Sequence, residues 1–288
     1  MDWIQGDKFK GIVDFTYSPD IKISDDYDNL VNTFDLALLK DKNIVYTHIG
    51  YVQQLFKVIE GVDKKFVVVS HSCDRSVESY GLRSPNGNGM TADVEIFTIP
   101  DNIVKWYTKN VNTTDTRVEA IPTGLENDRW FKAIDKKGLM LKKLEYPKGY
   151  RRLAYLNITK GTNLKERPQV CNLFERKPWV TVDKGYNGYK FSKYLHQIYH
   201  HKFVFSPGGN GMDSHRKWEC LYMGTIPIDK RNIDNQFYTD LPICFVDNWE
   251  DITEGFLLDE YERIKSGTWN MDKLNFSYWK DKIQNTEW

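Results

Sequence analysis

The residues best suited to do chemistry lie in one run, Lys202-Phe-Val-Phe-Ser-Pro-Gly-Gly-Asn-Gly-Met-Asp-Ser-His-Arg-Lys-Trp-Glu-Cys-Leu-Tyr-Met-Gly-Thr-Ile-Pro-Ile228. It reads as strand, glycine-rich turn, helix and strand. Asp213 or Ser214 can cap the helix, which leaves its first N–H groups and positive dipole end facing the crevice at the strand's carboxyl edge. Such an end binds phosphate. At about 100° per residue, His215, Arg216 and Glu219 share one arc of the helix, while Trp218, Leu221 and Tyr222 take a side suited to a sheet. Arg216 can pair with phosphates, Glu219 can accept from ribose hydroxyls, and His215 can donate to a phosphate or sugar oxygen. A solvated face with an i,i+3 Arg–Glu pair is the plain structural alternative. The run holds neither G-x-G-x-x-G nor G-x-x-x-x-G-K-[ST], which speaks against an ordinary dehydrogenase or NTPase.

Two series of strands and helices position this run. In the first half, 43–47, 65–70, 94–98 and 117–121 read as strands, with one helix over 51–59 and another around Trp106 and Tyr107. A basic, turn-rich stretch from Lys132 to Arg152 reads as a linker. Strands then resume at 152–156, 179–182, 202–206, 225–228 and 243–246, and the aromatic tail from about Leu257 reads as helix. Alternation of this kind predicts a right-handed parallel α/β sheet in each half. Within 288 residues, 40 Lys+Arg balance 40 Asp+Glu, so no charge excess favours nucleic acid or an anionic membrane. No run reaches the length of a membrane span, and no signal peptide is visible. Cys73, Cys171, Cys220 and Cys244 form no C-x-x-C pair, and buried thiols in a reducing cytoplasm are expected. Aromatic residues are abundant at 14%, which suits sugar faces as well as cores.

The run ending Asp213-Ser-His-Arg-Lys-Trp-Glu219 resembles the C-terminal signature of exostosin-like glycosyltransferases. Further pieces match in order: Val69-Ser-His-Ser-Cys-Asp74, Lys105–Asn110, Ile121-Pro-Thr-Gly-Leu-Glu-Asn127, Tyr155–Thr159 with Thr162-Asn163, Glu166-Arg167, and Phe245–Trp249. The resemblance spans about residues 44–250. It implies a GT-B fold, two Rossmann-like parallel-sheet domains facing a central cleft. On that reading 1–140 binds the acceptor, 141–260 binds the nucleotide sugar, and 261–288 is a helical tail packing back on the N-terminal domain. It also implies inverting transfer from a UDP-sugar to a glycan hydroxyl, with no obligatory metal or other cofactor. Carried over residue by residue, donor binding falls on Asn157, Thr159, Arg167, Ser206, Gly208, Gly209, Gly211, Asp213, His215, Arg216 and Glu219. Small versions without an anchor look like virus- or microbe-encoded enzymes of the cytoplasm, and UDP-xylose is the donor named first.

An inverting transferase needs a base for the acceptor hydroxyl, and parallel sheets present such groups at strand carboxyl ends. Asp74 is the first candidate because the resembling family places Asp there; His48 is second and His71 third. Turn capping or pairing with Arg75 is the plain alternative for Asp74. Asp26-Tyr-Asp28 has the form of a metal-binding Asp-x-Asp, but no strong strand precedes it, and acidic residues opening a helix explain it better. His200-His201 has no third ligand at recognisable spacing, so no metal is expected. Two other functions stay open: a carbohydrate-binding module without catalysis, and a nucleotide-sugar-modifying enzyme using Tyr186 and Lys190.

Overall fold

The computed structural model describes residues 2–19, 30–72, 98–128, 135–149, 151–183 and 191–288. Two five-stranded sheets, all parallel among the described residues, carry the fold. The first contains β1 (Phe15–Tyr17), β2 (Lys42–His48), β3 (Lys65–His71), β4 (Ile103–Thr108) and β5 (Val118–Ala120), ordered as in the chain. The second contains β6 (Arg152–Leu156), β7 (Val180–Val182), β8 (His201–Phe205), β9 (Ile226–Lys230) and β10 (Cys244–Val246). Its spatial order is β7-β6-β8-β9-β10. The chain thus runs outward from β6 to β7, then returns past β6 to place β8 on the other side. That reversal is a topological switch point, where the loops leaving β6 and β8 diverge and open a crevice at their carboxyl ends. Among the described strands of the first sheet the order does not reverse.

Burial explains the central strands. Lys65-Phe-Val-Val-Val-Ser-His71 is buried from Phe66 onward, as a continuous apolar run must be when a parallel sheet is covered on both faces. α1 (Val52–Ile59) buries Val52, Leu55, Phe56 and Ile59, which recur at helical spacing. The helix expected around Trp106 and Tyr107 is instead strand β4. Its β-branched and aromatic residues fit a pleated, enclosed position: Trp106 is fully buried, its Nε1–H donates to Ser70 Oγ on β3 at 2.8 Å, and Phe56 meets its ring edge-on. Strand β1 was not anticipated, being three residues long and paired at the edge with Val45–Thr47. The expected strand 94–98 lies outside the described residues except Thr98, which is not in a strand.

The remaining helices are α2 (Lys136–Leu144), α3 (Glu166–Phe174), α4 (Phe191–Tyr199), α5 (His215–Tyr222), α6 (Glu254–Ser266) and α7 (Phe276–Gln284). The basic stretch read as a linker therefore contains helix α2. Its N-cap Asp135 accepts from the Gly138 N–H. α3 and α6 pack on one face of the second sheet, in a core with Phe203, Phe205 and Trp249. α4 and α5 cover the other face and share one apolar core with the first sheet and α7. The tail crosses to the first sheet: Phe276 N–H donates to Asp2 O, Phe276 meets Phe9 edge-on, and Lys282 pairs with Glu119. Among the described residues no helix is long and apolar enough to cross a membrane.

Candidate functional site

At the switch point, the loops after β6 and β8 and the start of α5 enclose a cavity of about 240 Å³. Gly209, Asn210 and Gly211 of the glycine-rich turn line it, and Ser214, His215 and Arg216 bring the first turn of α5 to it. Ser214 occupies the N-cap with an extended backbone and makes no side-chain cap, so the helix end keeps donors for a ligand. Thr123 and Glu126, from the loop after β5, and Lys136, from α2, also line it. The glycines allow close approach. A Cβ on Gly209 would lie 2.9 Å from an Arg167 nitrogen, and one on Gly211 would lie 2.7 Å from Asn110 Nδ2.

Two guanidinium groups meet here. Arg167 is 8% exposed and clamps the loops, donating to Gly208 O (2.9 Å) and Thr159 O (3.2 Å). Burial, and then the charge of Arg216, push its pKa down to about 10. Arg216 donates from Nε to Tyr194 OH at 3.4 Å, with its guanidinium 5.9 Å from the centre of that ring. Tyr194 donates in turn to Glu219 Oε2 at 2.7 Å, and Lys136 Nζ stands 3.7 Å from Glu219 Oε1. Converging cations that repel each other beside a helix N-terminus make a site whose electrostatic cost an anion relieves.

His215 and Asp213 serve a second purpose that the sequence did not reveal. His215 Nδ1–H donates to Gly124 O (2.8 Å) and its Nε2 faces Glu126 Oε2 (3.2 Å). Burial alone would depress the imidazole pKa, but Glu126 raises it above the ordinary value. Burial would likewise raise Glu126, yet His215 brings it down to about 2. Asp213 accepts from Thr123 N–H (2.7 Å) and Trp218 Nε1–H (2.8 Å), and its own N–H donates to Asn110 Oδ1 (2.9 Å). Both residues line the cavity while joining the two sheets. Asn157 lies elsewhere, buried, donating to Tyr155 OH (2.8 Å), which donates to Asp183. Thr159 contributes its carbonyl to Arg167. Ser206 is buried beneath the turn, 3.2 Å from Ser214 Oγ. Gly208 offers its carbonyl to Arg167 and Asn163.

The base candidates separate. His48 and His71 end adjacent strands in register. His48 Nδ1 accepts from Gly50 N–H (3.0 Å), which uses the lone pair a base would need. His71 is 3% exposed and stacks on Phe9, and its Nε2–H faces Pro122 O at 3.2 Å. A Cβ on Gly6 would fall 2.3 Å from its Nδ1. Neither is among the described residues lining the cavity. Asp74, Cys73, Asp26, Asp28, Tyr186 and Lys190 lie outside the described residues. Lys136, Tyr194, Thr123 and Glu126 received no role from sequence. Thr123 and Glu126 sit in the matching Ile121–Asn127 piece, whereas nothing local marks Lys136 or Tyr194.

The His215–Glu126 bridge predicts a pH signature. A raised imidazole pKa gives stability present below the ordinary histidine pKa and lost as pH rises through the folded value. A depressed Glu126 gives stability present above the ordinary carboxylate pKa and lost as pH falls toward about 2. Wild type should therefore exceed His215→Gln in stability most between about pH 5 and 6.5, and less at pH 8. Urea unfolding at these pH values checks it; a difference that does not vary with pH would remove the ion pair from the account. Compared with known proteins, the chain matches no family model and no curated protein.

Proposed function

We propose that the chain is an inverting glycosyltransferase of the GT-B type, moving a sugar from a UDP-sugar, with UDP-xylose the first donor to try, to a hydroxyl of a glycan. One observation carries the reading: Arg167, Arg216 and the uncapped start of α5 converge on a cavity at the switch point of the second sheet. A nucleoside diphosphate fits these donors. Its phosphates would face the α5 N–H groups and the guanidinium groups, with its ribose toward Glu219. In the transfer, the acceptor oxygen bonds to the anomeric carbon as the bond to the diphosphate breaks. The hydroxyl proton goes to a carboxylate, and the leaving diphosphate's charge is held by Arg216 and the helix end. Neither His48, whose Nδ1 accepts from Gly50 N–H, nor the buried His71 lines the cavity, so Asp74, first on the family resemblance, is the base to test first.

Binding of UDP measured by calorimetry tests the donor site. Arg216→Ala should weaken it about ten- to a hundredfold, since a charged hydrogen bond to phosphate contributes roughly 1.5–3 kcal/mol. Glu219→Gln should lose less, because an amide oxygen still accepts from one ribose hydroxyl. Unchanged UDP affinity in folded Arg216→Ala protein would sink this assignment. A chain that takes up oligosaccharide but no nucleotide would be a carbohydrate-binding module.

A further inference from the structure

Away from the cavity, two histidines and a lysine converge where α2 meets α4. His196 on α4 and His200, the residue just past its end, stand one turn apart, their ring centres 4.2 Å from each other. His196 Nδ1 lies 3.3 Å and His200 Nε2 3.2 Å from Lys143 Nζ of α2. An ammonium has only protons to offer, so both ring nitrogens turn lone pairs toward one point. The Tyr199 ring, 5.1 Å from the same Nζ, adds its negative face. The protein has thus assembled a cation-binding corner and filled it with its own lysine. His196 is exposed and His200 half-buried, so solutes reach the corner.

We propose that this corner is a transition-metal site, in which a divalent ion of the kind that favours imidazole displaces the Lys143 ammonium and is chelated by His196 and His200, with water completing its shell. His200 N–H still donates to His196 O (3.1 Å), so the two rings share one side of the last turn, where histidines four residues apart can reach a single ion. Imidazole nitrogen selects copper, nickel or zinc over magnesium or calcium, and copper binds tightest in that series. Bound there, the ion would be held by the C-terminal end of α4 and the residue that follows it, and the tie that Lys143 makes from α2 would open. Lys136, at the start of α2, and Tyr194, on α4, both line the cavity, so the site sits on the two helices that shape one of its walls.

Cu²⁺ titrated into the full chain, read by calorimetry and electron paramagnetic resonance, tests the assignment. One ion per chain with two imidazole nitrogens in its spectrum is expected. His196→Ala and His200→Ala should each weaken binding at least about tenfold, because a chelate becomes a single contact. Lys143→Met should strengthen it about tenfold by removing both the competing donor and a positive charge beside the ion. The proposal is overturned if the double histidine variant, folded by circular dichroism, binds Cu²⁺ as wild type does. It is equally overturned if Lys143→Met weakens binding, which would make the lysine part of an unrelated site.

Discussion

Lys217→Met should cost about 3–5 kcal/mol of stability, the range for breaking a buried ion pair by removing one partner. Lys217 Nζ lies 2.7 Å from Asp229 Oδ2 and 3.0 Å from Asp213 Oδ1, and the three side chains are at most 2% exposed. Asp234 completes the group; burial and then the charge of Asp213 raise its pKa to about 7. One ammonium thus serves three buried carboxylates. Two of them also join the sheets, Asp213 through Thr123 N–H and Asp234 through Val111 N–H. Without the lysine, these carboxylates must be buried as uncompensated charges or take up protons. Their folded pKa values would then stand above the unfolded ones, so the deficit should be largest at pH 7 and shrink toward pH 5. Urea unfolding at both pH values measures this. A loss below about 1 kcal/mol at pH 7 would mean that the lysine is not what balances the cluster.

Asp74→Asn should lower kcat by about two to four orders of magnitude if Asp74 takes the acceptor proton, since the amide keeps the size but not the basicity. UDP affinity should hold, because the proposed donor site lies on the second sheet. Folding should also hold, as a lost turn-capping carboxylate costs only about 0.5–2 kcal/mol. A purely capping Asp74 gives the opposite pattern, a lower melting temperature with turnover per folded molecule nearly intact. Measuring kcat, UDP affinity and melting temperature on one preparation separates the two. Should turnover survive, His48→Ala becomes the next variant. Loss of turnover there would require His48 to release Gly50 N–H during the reaction.

Much of the fold was legible because its signals are local. Runs such as Phe66–Val69 admit few environments other than an enclosed strand, and the turn-plus-helix from Ser206 to Tyr222 carries its own punctuation. Trp106 misled because an apolar pair such as Trp-Tyr has no period of its own; only the neighbouring strand, with Ser70 under the indole N–H, makes it a strand residue. Strand β1 is too short to show alternation and exists because Val45–Thr47 offers it an edge.

The candidate site divides in the same way. From residue types and helical spacing alone, Arg216 and Glu219 fall on one face above a glycine-rich turn. Sequence could not assign His215 and Asp213 to bridging, because their partners Glu126 and Thr123 lie about 90 residues away and meet them only when the sheets close. Nor could it bring Lys136 and Tyr194 to the cavity, since each comes from a helix whose place depends on the order β7-β6-β8. The alternating pattern of strands and helices determined that two parallel sheets form. Which strands became neighbours, and hence where the crevice opened, was decided by packing between distant segments, a term that grows with buried area and leaves no periodic trace along the chain.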